Sequence, residues 1–249
     1  MFTDPILSYH QTSFHQPRAI EILNEYPWRG DEHILDIGCG DGRITAELAK
    51  RVPQGYILGI DLSLRTIEFA KSAFPNNQYP NLEFCCLDFM NSDYEEQFDV
   101  VVSVAAMHYV PDQFQVLKRV ENSIKFNGQA LLFLVGIKTD PIWKAMTVLL
   151  STPKWRHLSP LMSYGLCTQE EYFLFFKKIG LNIINFQIEE ISSFHKKKLE
   201  VKQDFLGNFL SVTNRIPKSQ CDEFINDFLE VALLYFLPDQ NQTIKIWEN

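Results

Sequence analysis

Three glycines at alternate positions, Gly38, Gly40 and Gly42, follow the apolar run Ile34-Leu35-Asp36-Ile37 and lead at once into a helix pattern with Ile44, Leu48 and Val52. Glycine is needed where backbone curls tightly or touches a ligand. The amides that open the next helix then face that ligand. The segment reads as a backbone cradle. Dinucleotide-binding turns use Gly-x-Gly-x-x-Gly; here the third glycine comes one residue early, and Asp36 precedes the turn. Two further acids follow the same logic. Asp61 ends the apolar run Tyr56-Ile57-Leu58-Gly59-Ile60, about 20 residues beyond the glycines, the distance at which an acid meets ribose hydroxyls in nucleotide-binding βαβ units. Asp88, followed by Phe89, ends the run that starts at Leu82. One acid at a strand end is ordinarily a helix cap or a turn residue. Three in series, each closing its own strand, are hard to produce by chance.

These residues need a scaffold to hold them side by side. Strands starting near His33, at Tyr56, at Leu82 and at Phe98 alternate with helix patterns, and Ser103 to Val110 follows the fourth. A fifth strand, Gln129 to Gly136, follows the turn Phe126-Asn127-Gly128. Such alternation implies right-handed crossovers and a parallel sheet. Residues 1–28 read as a loop and then a helix with apolar Ala19, Ile20, Leu23 and Tyr26. Residues 139–160 break the alternation, carrying Trp143, Met146, Leu149, Leu150 and Trp155 on one or two helices. Thr168-Gln169-Glu170-Glu171 is a capping box that opens a helix ended by Gly180. Leu181 to Ile191 reads as a sixth strand, and Gln242 to Trp247 as the last. Between them lie two helix patterns, Leu199 to Leu210 and Lys218 to Phe236.

At 249 residues with 46% hydrophobic content, the chain is expected to form one domain spanning 1–249. Its core would be about 30–136, 168–191 and 240–249, with helical lid segments at about 1–28, 139–165 and 194–238. A net charge of −8 argues against a nucleic-acid footprint. The basic run Lys196-Lys197-Lys198 is flanked by acids and reads as a solvated helix face. The five cysteines show no CxxC pair, so neither a metal site nor a disulfide framework is expected. Residues 1–9 lack a basic segment followed by an apolar stretch, and no run approaches the ~20 residues of a membrane span. A cytoplasmic location is the expectation.

The Asp36 and Gly38-x-Gly40-x-Gly42 motif resembles the first motif of class I methyltransferases that use S-adenosylmethionine, and the acids at Asp61 and Asp88 extend the resemblance. It implies a Rossmann-like α/β fold with a seven-stranded, mostly parallel sheet, the last strand antiparallel, and helical lid insertions. Ligands in such a sheet lie over the carboxyl ends of the strands at the topological switch point, and the insertions would roof that site. The roles it implies are specific. Gly38 and Gly40 pack around the methionine portion of the cofactor, with Asp36 ordering the loop. Asp61 accepts the ribose hydroxyls and Leu62 packs on the adenine. Asp88 meets the adenine amine, Phe89 flanks the ring, and Ser103 begins the loop beneath the sulfonium.

The flanking segments resemble the juvenile hormone acid methyltransferases and, in layout, the trans-aconitate methyltransferases. The residues concerned are Gln16-Pro17-Arg18, Met107-His108-Tyr109-Val110-Pro111-Asp112-Gln113, Asp140-Pro141-Ile142-Trp143, Pro153-Lys154-Trp155 and Arg215-Ile216-Pro217. The family usually has Leu-His-Trp where this chain has Met107-His108-Tyr109, which leaves substrate identity open. The resemblance makes Gln16 and His108 the candidates to hydrogen-bond an acceptor carboxylate. Basic residues in the lid segments are few and scattered, whereas aromatics such as Phe14, Trp143 and Trp155 are plentiful. A tricarboxylate would need several paired cations, so a small, largely apolar monocarboxylic acid fits better, with Phe14, Tyr109, Trp143 and Trp155 lining its pocket. The alternatives are N-methylation or phenol O-methylation of another small molecule, and cofactor binding without catalysis.

Overall fold

The computed structural model describes residues 15–134, 141–161, 165–187, 191–195, 216–232 and 244–248. Phe14 and the expected helix at 199–210 lie outside these residues. The chain divides into two compact units, Phe2–Leu134 with Lys178–Leu181, and Val135–Lys177 with Asn182–Asn249.

In the first unit, β1 (His33–Ile37), β2 (Tyr56–Asp61), β3 (Leu82–Cys86), β4 (Phe98–Val104) and β5 (Ile124–Phe133) form one parallel sheet in the order β3-β2-β1-β4-β5. The central strands carry apolar side chains on both faces. Ile34, Leu35, Val100, Val101 and Val102 are wholly out of water, as strands covered on both faces require. The helices α1 (His15–Glu25), α2 (Arg43–Arg51), α3 (Leu64–Ala73) and α4 (Gln113–Ser123) supply the cover. Ile44, Ala46, Leu48 and Ala49 of α2 are buried in one cluster with Ile57, Ile67 and Phe84. Each of the Ile, Leu and Phe side chains contributes roughly 1.5–3 kcal/mol by leaving water. The carboxyl end of α2 is closed by the Asn81 amide, which donates to the Ala49 and Val52 carbonyls at 2.9 and 2.8 Å. The Ser63 and Asp112 side chains cap α3 and α4 by accepting from the Thr66 and Gln115 amides.

The fifth strand begins earlier than expected. Its ladder on β4 pairs Phe98 with Ile124 and resumes at Val100 with Gln129. The intervening Phe126-Asn127-Gly128, expected as a turn, is accommodated as an irregularity within the strand, with Asn127 at φ 65° and Phe126 exposed.

In the second unit, α5 (Pro141–Ser151), α6 (Gln169–Ile179), β6 (Ile191–His195), α7 (Lys218–Ala232) and β7 (Ile244–Glu248) follow in order. Helices α5 and α7 pack through Ala145, Met146, Leu149 and Leu150 on one side and Phe224, Ile225, Phe228 and Leu229 on the other. The spacing of both sets is that of a helical stripe. The capping box forms at α6, with the Thr168 amide donating to Glu171 Oε2 at 2.7 Å and the Glu171 amide to Thr168 Oγ1 at 3.2 Å.

The seven-stranded sheet is corrected to five strands among the described residues. Strands β6 and β7 pair antiparallel with each other in a sheet of their own. The expected sixth strand from Leu181 fails over 181–187, where residues 182–187 are exposed and irregular. A strand needs a neighbour to complete its backbone hydrogen bonds, and apolar residues such as Ile183 and Ile184 do not create one.

Candidate active site

The site is built at the carboxyl ends of β1 and β4, where the strand order changes direction. Beyond β1 the chain is pinned to β2: the Gly38 and Cys39 amides donate to the Ile60 carbonyl at 2.8 and 3.0 Å. Asp61 then acts as a staple. Its Oδ2 accepts from the Gly40 amide at 3.2 Å and its Oδ1 from the Ser63 amide at 2.8 Å, which joins the glycine loop to the start of α3. Each oxygen keeps a lone pair for a ligand hydroxyl. Ser103, 1% exposed, donates from its hydroxyl to the Ile37 carbonyl at 2.9 Å and ties β4 to β1 just below the loop. Gly40 has φ 55°, and a Cβ added there would meet nothing nearer than the Gly38 carbonyl at 4.0 Å. Its surroundings are open on that side.

Three carboxyl groups converge beneath the loop. Asp36 and Asp41 are buried and Asp61 is half-buried. Asp36 accepts from the Thr45 hydroxyl at 2.7 Å. Asp41 accepts from the Arg43 amide at 3.1 Å, and the Arg43 guanidinium stands 3.5 Å away. Burial pushes the Asp36 carboxyl up to about 7; the Thr45 bond works against this, and Asp61 and Asp41 add to it. A raised carboxyl pKa means that the folded chain holds a proton that the unfolded chain, titrating near ~3.9, has released. Asp36 therefore costs stability as pH rises from about 4 to about 7. Asp36→Asn removes that titration. In the absence of ligand, its midpoint of thermal unfolding relative to the native chain should climb from pH 5 to pH 8. A difference that stays constant across that range would show that Asp36 is ionised throughout.

On the β2–β3 side, Leu62 is 51% exposed directly after Asp61, an apolar surface beside the acid. Asp88 caps the short turn Phe89–Asn91, accepting from the Met90 amide at 2.9 Å and the Asn91 side-chain amide at 3.0 Å. Phe89 is buried.

The chain beyond β4 makes the turn Met107–Tyr109. Gln113, buried, holds it by donating from Nε2 to the Met107 and Val110 carbonyls at 2.8 and 2.6 Å. His108 is buried and Tyr109 half exposed, their ring centroids 4.2 Å apart. Gln16 lies in the first turn of α1, and its side chain is outside the described residues. Trp143 lines a pocket of about 340 Å³ in the second unit, with Met146, Leu150 and Leu166 and the hydroxyl residues Thr147 and Ser151. Trp155 differs from the expectation that it lines a pocket. It is 2% exposed, its ring meets Phe224 edge-on at 5.0 Å, and its indole N–H donates to Asp227 Oδ2 at 2.8 Å. It is a core residue because α5 and α7 close around it.

Comparison with known proteins decides what this arrangement belongs to. Residues 29–148 match the methyltransferase domain family. Over those residues this is a class I methyltransferase domain of the kind that uses S-adenosylmethionine. It is 25% identical over 229 residues to juvenile hormone acid O-methyltransferase of Bombyx mori, covering 85% of this chain and 78% of that protein. It is 27% identical over 158 residues to trans-aconitate 2-methyltransferase of Escherichia coli, covering 63% of this chain and 59% of that protein. The fold is shared with the YcgJ protein of Bacillus subtilis, with a TM-score of 0.67 at 18% identity, covering 94% of this chain and 96% of that one.

The methyltransferase's own residues fit this cofactor. A sulfonium and an ammonium suit a loop bonded to the half-buried Asp61 carboxylate, because a cation is favoured beside an anion. The opening at Gly40 leaves room for the backbone to meet the ligand closely. Two residues that support the site escaped the sequence reading. Thr45 sits in the apolar run of α2 and is fully buried; a lone hydroxyl in a buried stripe, nine residues after an acid, was the available signal. Gln113 lies at the first position of α4, where a polar residue is unremarkable until its burial is known. Among the described residues, no helix is long and apolar enough to cross a membrane.

Proposed function

We propose that the chain transfers the methyl group of S-adenosylmethionine to the carboxylate of a small, largely apolar acid. The observation that carries this reading is the Met107–Tyr109 turn next to the glycine loop. It offers an imidazole and a phenol, and its acid, Asp112, is exposed and occupied in capping α4. Such a turn can hydrogen-bond an anionic acceptor, which needs no base, whereas for an amine the His108 imidazole would have to take up a proton. The names of two relatives, juvenile hormone acid O-methyltransferase and trans-aconitate 2-methyltransferase, support the same class.

When bound, the cofactor supplies an electrophilic methyl on a sulfonium, open to in-line displacement. Carboxylic acids titrate near ~4–5, so the acceptor is already ionised at neutral pH and needs no general base. The protein's contribution is alignment. Asp61 and the Gly38–Gly40 backbone hold one partner, with Asp36 ordering the loop and Leu62, Asp88, Phe89 and Ser103 completing its surroundings. His108 and Gln16 hold the acceptor carboxylate, and Phe14 and Tyr109 supply apolar surface for the rest of it. Orientation of this kind contributes up to ~7–11 kcal/mol.

The test is transfer of labelled methyl to a panel running from fatty and isoprenoid monocarboxylates to aconitate. The expected product on the apolar acids releases methanol in mild base, and its rate of formation is flat above pH ~6. His108→Ala should lower turnover by about tenfold, the value of one lost hydrogen bond to a charged group, while S-adenosylhomocysteine binds as before. Label confined to aconitate would move the acceptor to polyacids. Base-stable label on amines, with a rate that rises with pH, would overturn the carboxylate reading.

A further inference from the structure

Gly38 does not stand in open space. It has φ 73°, and a Cβ added there would overlap the Ala106 methyl, with the Ala106 Cα 3.6 Å away. Neither partner is free to retreat. Gly38 and Cys39 are bonded to the Ile60 carbonyl of β2. On the other side, Ala105 holds the left-handed conformation at φ 51°, rare for a residue with a side chain, and its amide donates to the Phe133 carbonyl of β5 at 3.0 Å. Ser103 fixes β4 to β1 three residues before Ala106. Backbone held in a sparsely populated conformation persists only where its surroundings over-determine it. Here the loop after β4 is pressed against the loop after β1, and the place of contact is the methyl group of Ala106.

We propose that Ala106 is a positioning residue whose methyl group backs Gly38 and sets the shape of the cofactor loop. It acts through Gly38 and needs no contact with ligand. The glycine at 38 is thereby required for two separate reasons, its backbone conformation and the space occupied by Ala106. Only the second can be relieved from the other side. The same contact sets the distance between the glycine loop and the turn that carries His108, since Ala106 immediately precedes Met107. This inference rests on the methyltransferase reading of the loop but on no particular acceptor.

The experiment is a cycle of Gly38→Ala, Ala106→Gly and the double variant, with S-adenosylhomocysteine affinity measured by calorimetry and thermal unfolding measured without ligand. Gly38→Ala alone should weaken binding by about tenfold or more, since a ~1.4 kcal/mol disturbance suffices. Ala106→Gly in that background should recover a substantial part of the affinity, although Ala106→Gly alone does not tighten binding. Ala106→Val should weaken binding, and the conservative Ala106→Ser should restore it. If effects on binding and on unfolding are both additive across the cycle, Ala106 does not position the loop and the inference falls. Coupling in unfolding with none in affinity would leave the contact as packing alone and would equally overturn it. Should Ala106→Val fail to fold, the Gly38 cycle still decides. Transfer to an unexpected acceptor would overturn the carboxylate assignment without touching this result.

Discussion

Replacing Asp61 by alanine is expected to weaken S-adenosylhomocysteine binding by about 10- to 100-fold. The carboxylate does two things at once. It accepts the Gly40 and Ser63 amides at 3.2 and 2.8 Å, and each of its oxygens keeps a lone pair for a ribose hydroxyl. Hydrogen bonds to a charged group are worth about 1.5–3 kcal/mol, and 1.4 kcal/mol is tenfold in affinity. Loss of one ligand bond accounts for the lower figure. Release of the glycine loop from α3 adds the rest. Asp61→Asn retains one acceptor oxygen and no charge, so it should fall between the native chain and the alanine variant. Calorimetric titration with S-adenosylhomocysteine checks the order. If all three proteins bound alike, Asp61 would serve only as a cap for the turn into α3, and the ribose would have to be held elsewhere.

The second large effect lies on stability. Trp155→Ala should cost about 3–5 kcal/mol, the range for truncating a buried large aromatic residue. The ring is 2% exposed, packs edge-on against Phe224, and donates its N–H to Asp227. Asp227 is also paired with Lys154 at 2.6 Å, and the Lys154 ammonium lies 4.9 Å from the centre of the indole ring. Removal of the indole therefore opens a cavity and takes a donor from a partly buried carboxylate in one step. Trp155→Phe keeps most of the apolar volume and loses the N–H, and should cost nearer 1–2 kcal/mol. Thermal unfolding separates the two variants, with the midpoint of the alanine variant lower by about 10 °C for a chain of this size. A Trp155→Ala protein as stable as the native chain, but altered in acceptor use, would return Trp155 to a pocket wall.

Much of the first unit was legible because its signals are local. A run such as Ile34-Leu35-Asp36-Ile37 followed by glycines can only be a buried strand entering a tight turn. The order of strands and helices through β4 then follows from alternation. The capping box at Thr168 and Glu171 is equally local, two residues three apart satisfying each other's backbone amides. The misreadings have a common cause. Leu181 to Ile191 carries the apolar content of a strand, but a strand also needs a partner edge, which is a property of distant chain. β6 and β7 took each other as partners instead. An aromatic in a helical insertion can serve as pocket surface or as core, and for Trp155 only the arrival of α7, some seventy residues later in the chain, decides which.

By itself the sequence determined the glycine loop, the three strand-end acids and the methyltransferase resemblance they carry, because each is a short pattern whose chemistry depends on neighbours along the chain. Only the tertiary structure decided that Asp36 is held by Thr45, that Gln113 supports the turn of His108, and that Gly38 is crowded by Ala106. Those relations depend on which side chains are buried and how far apart they come to lie, and burial and distance, which set their energies, have no counterpart in residue order.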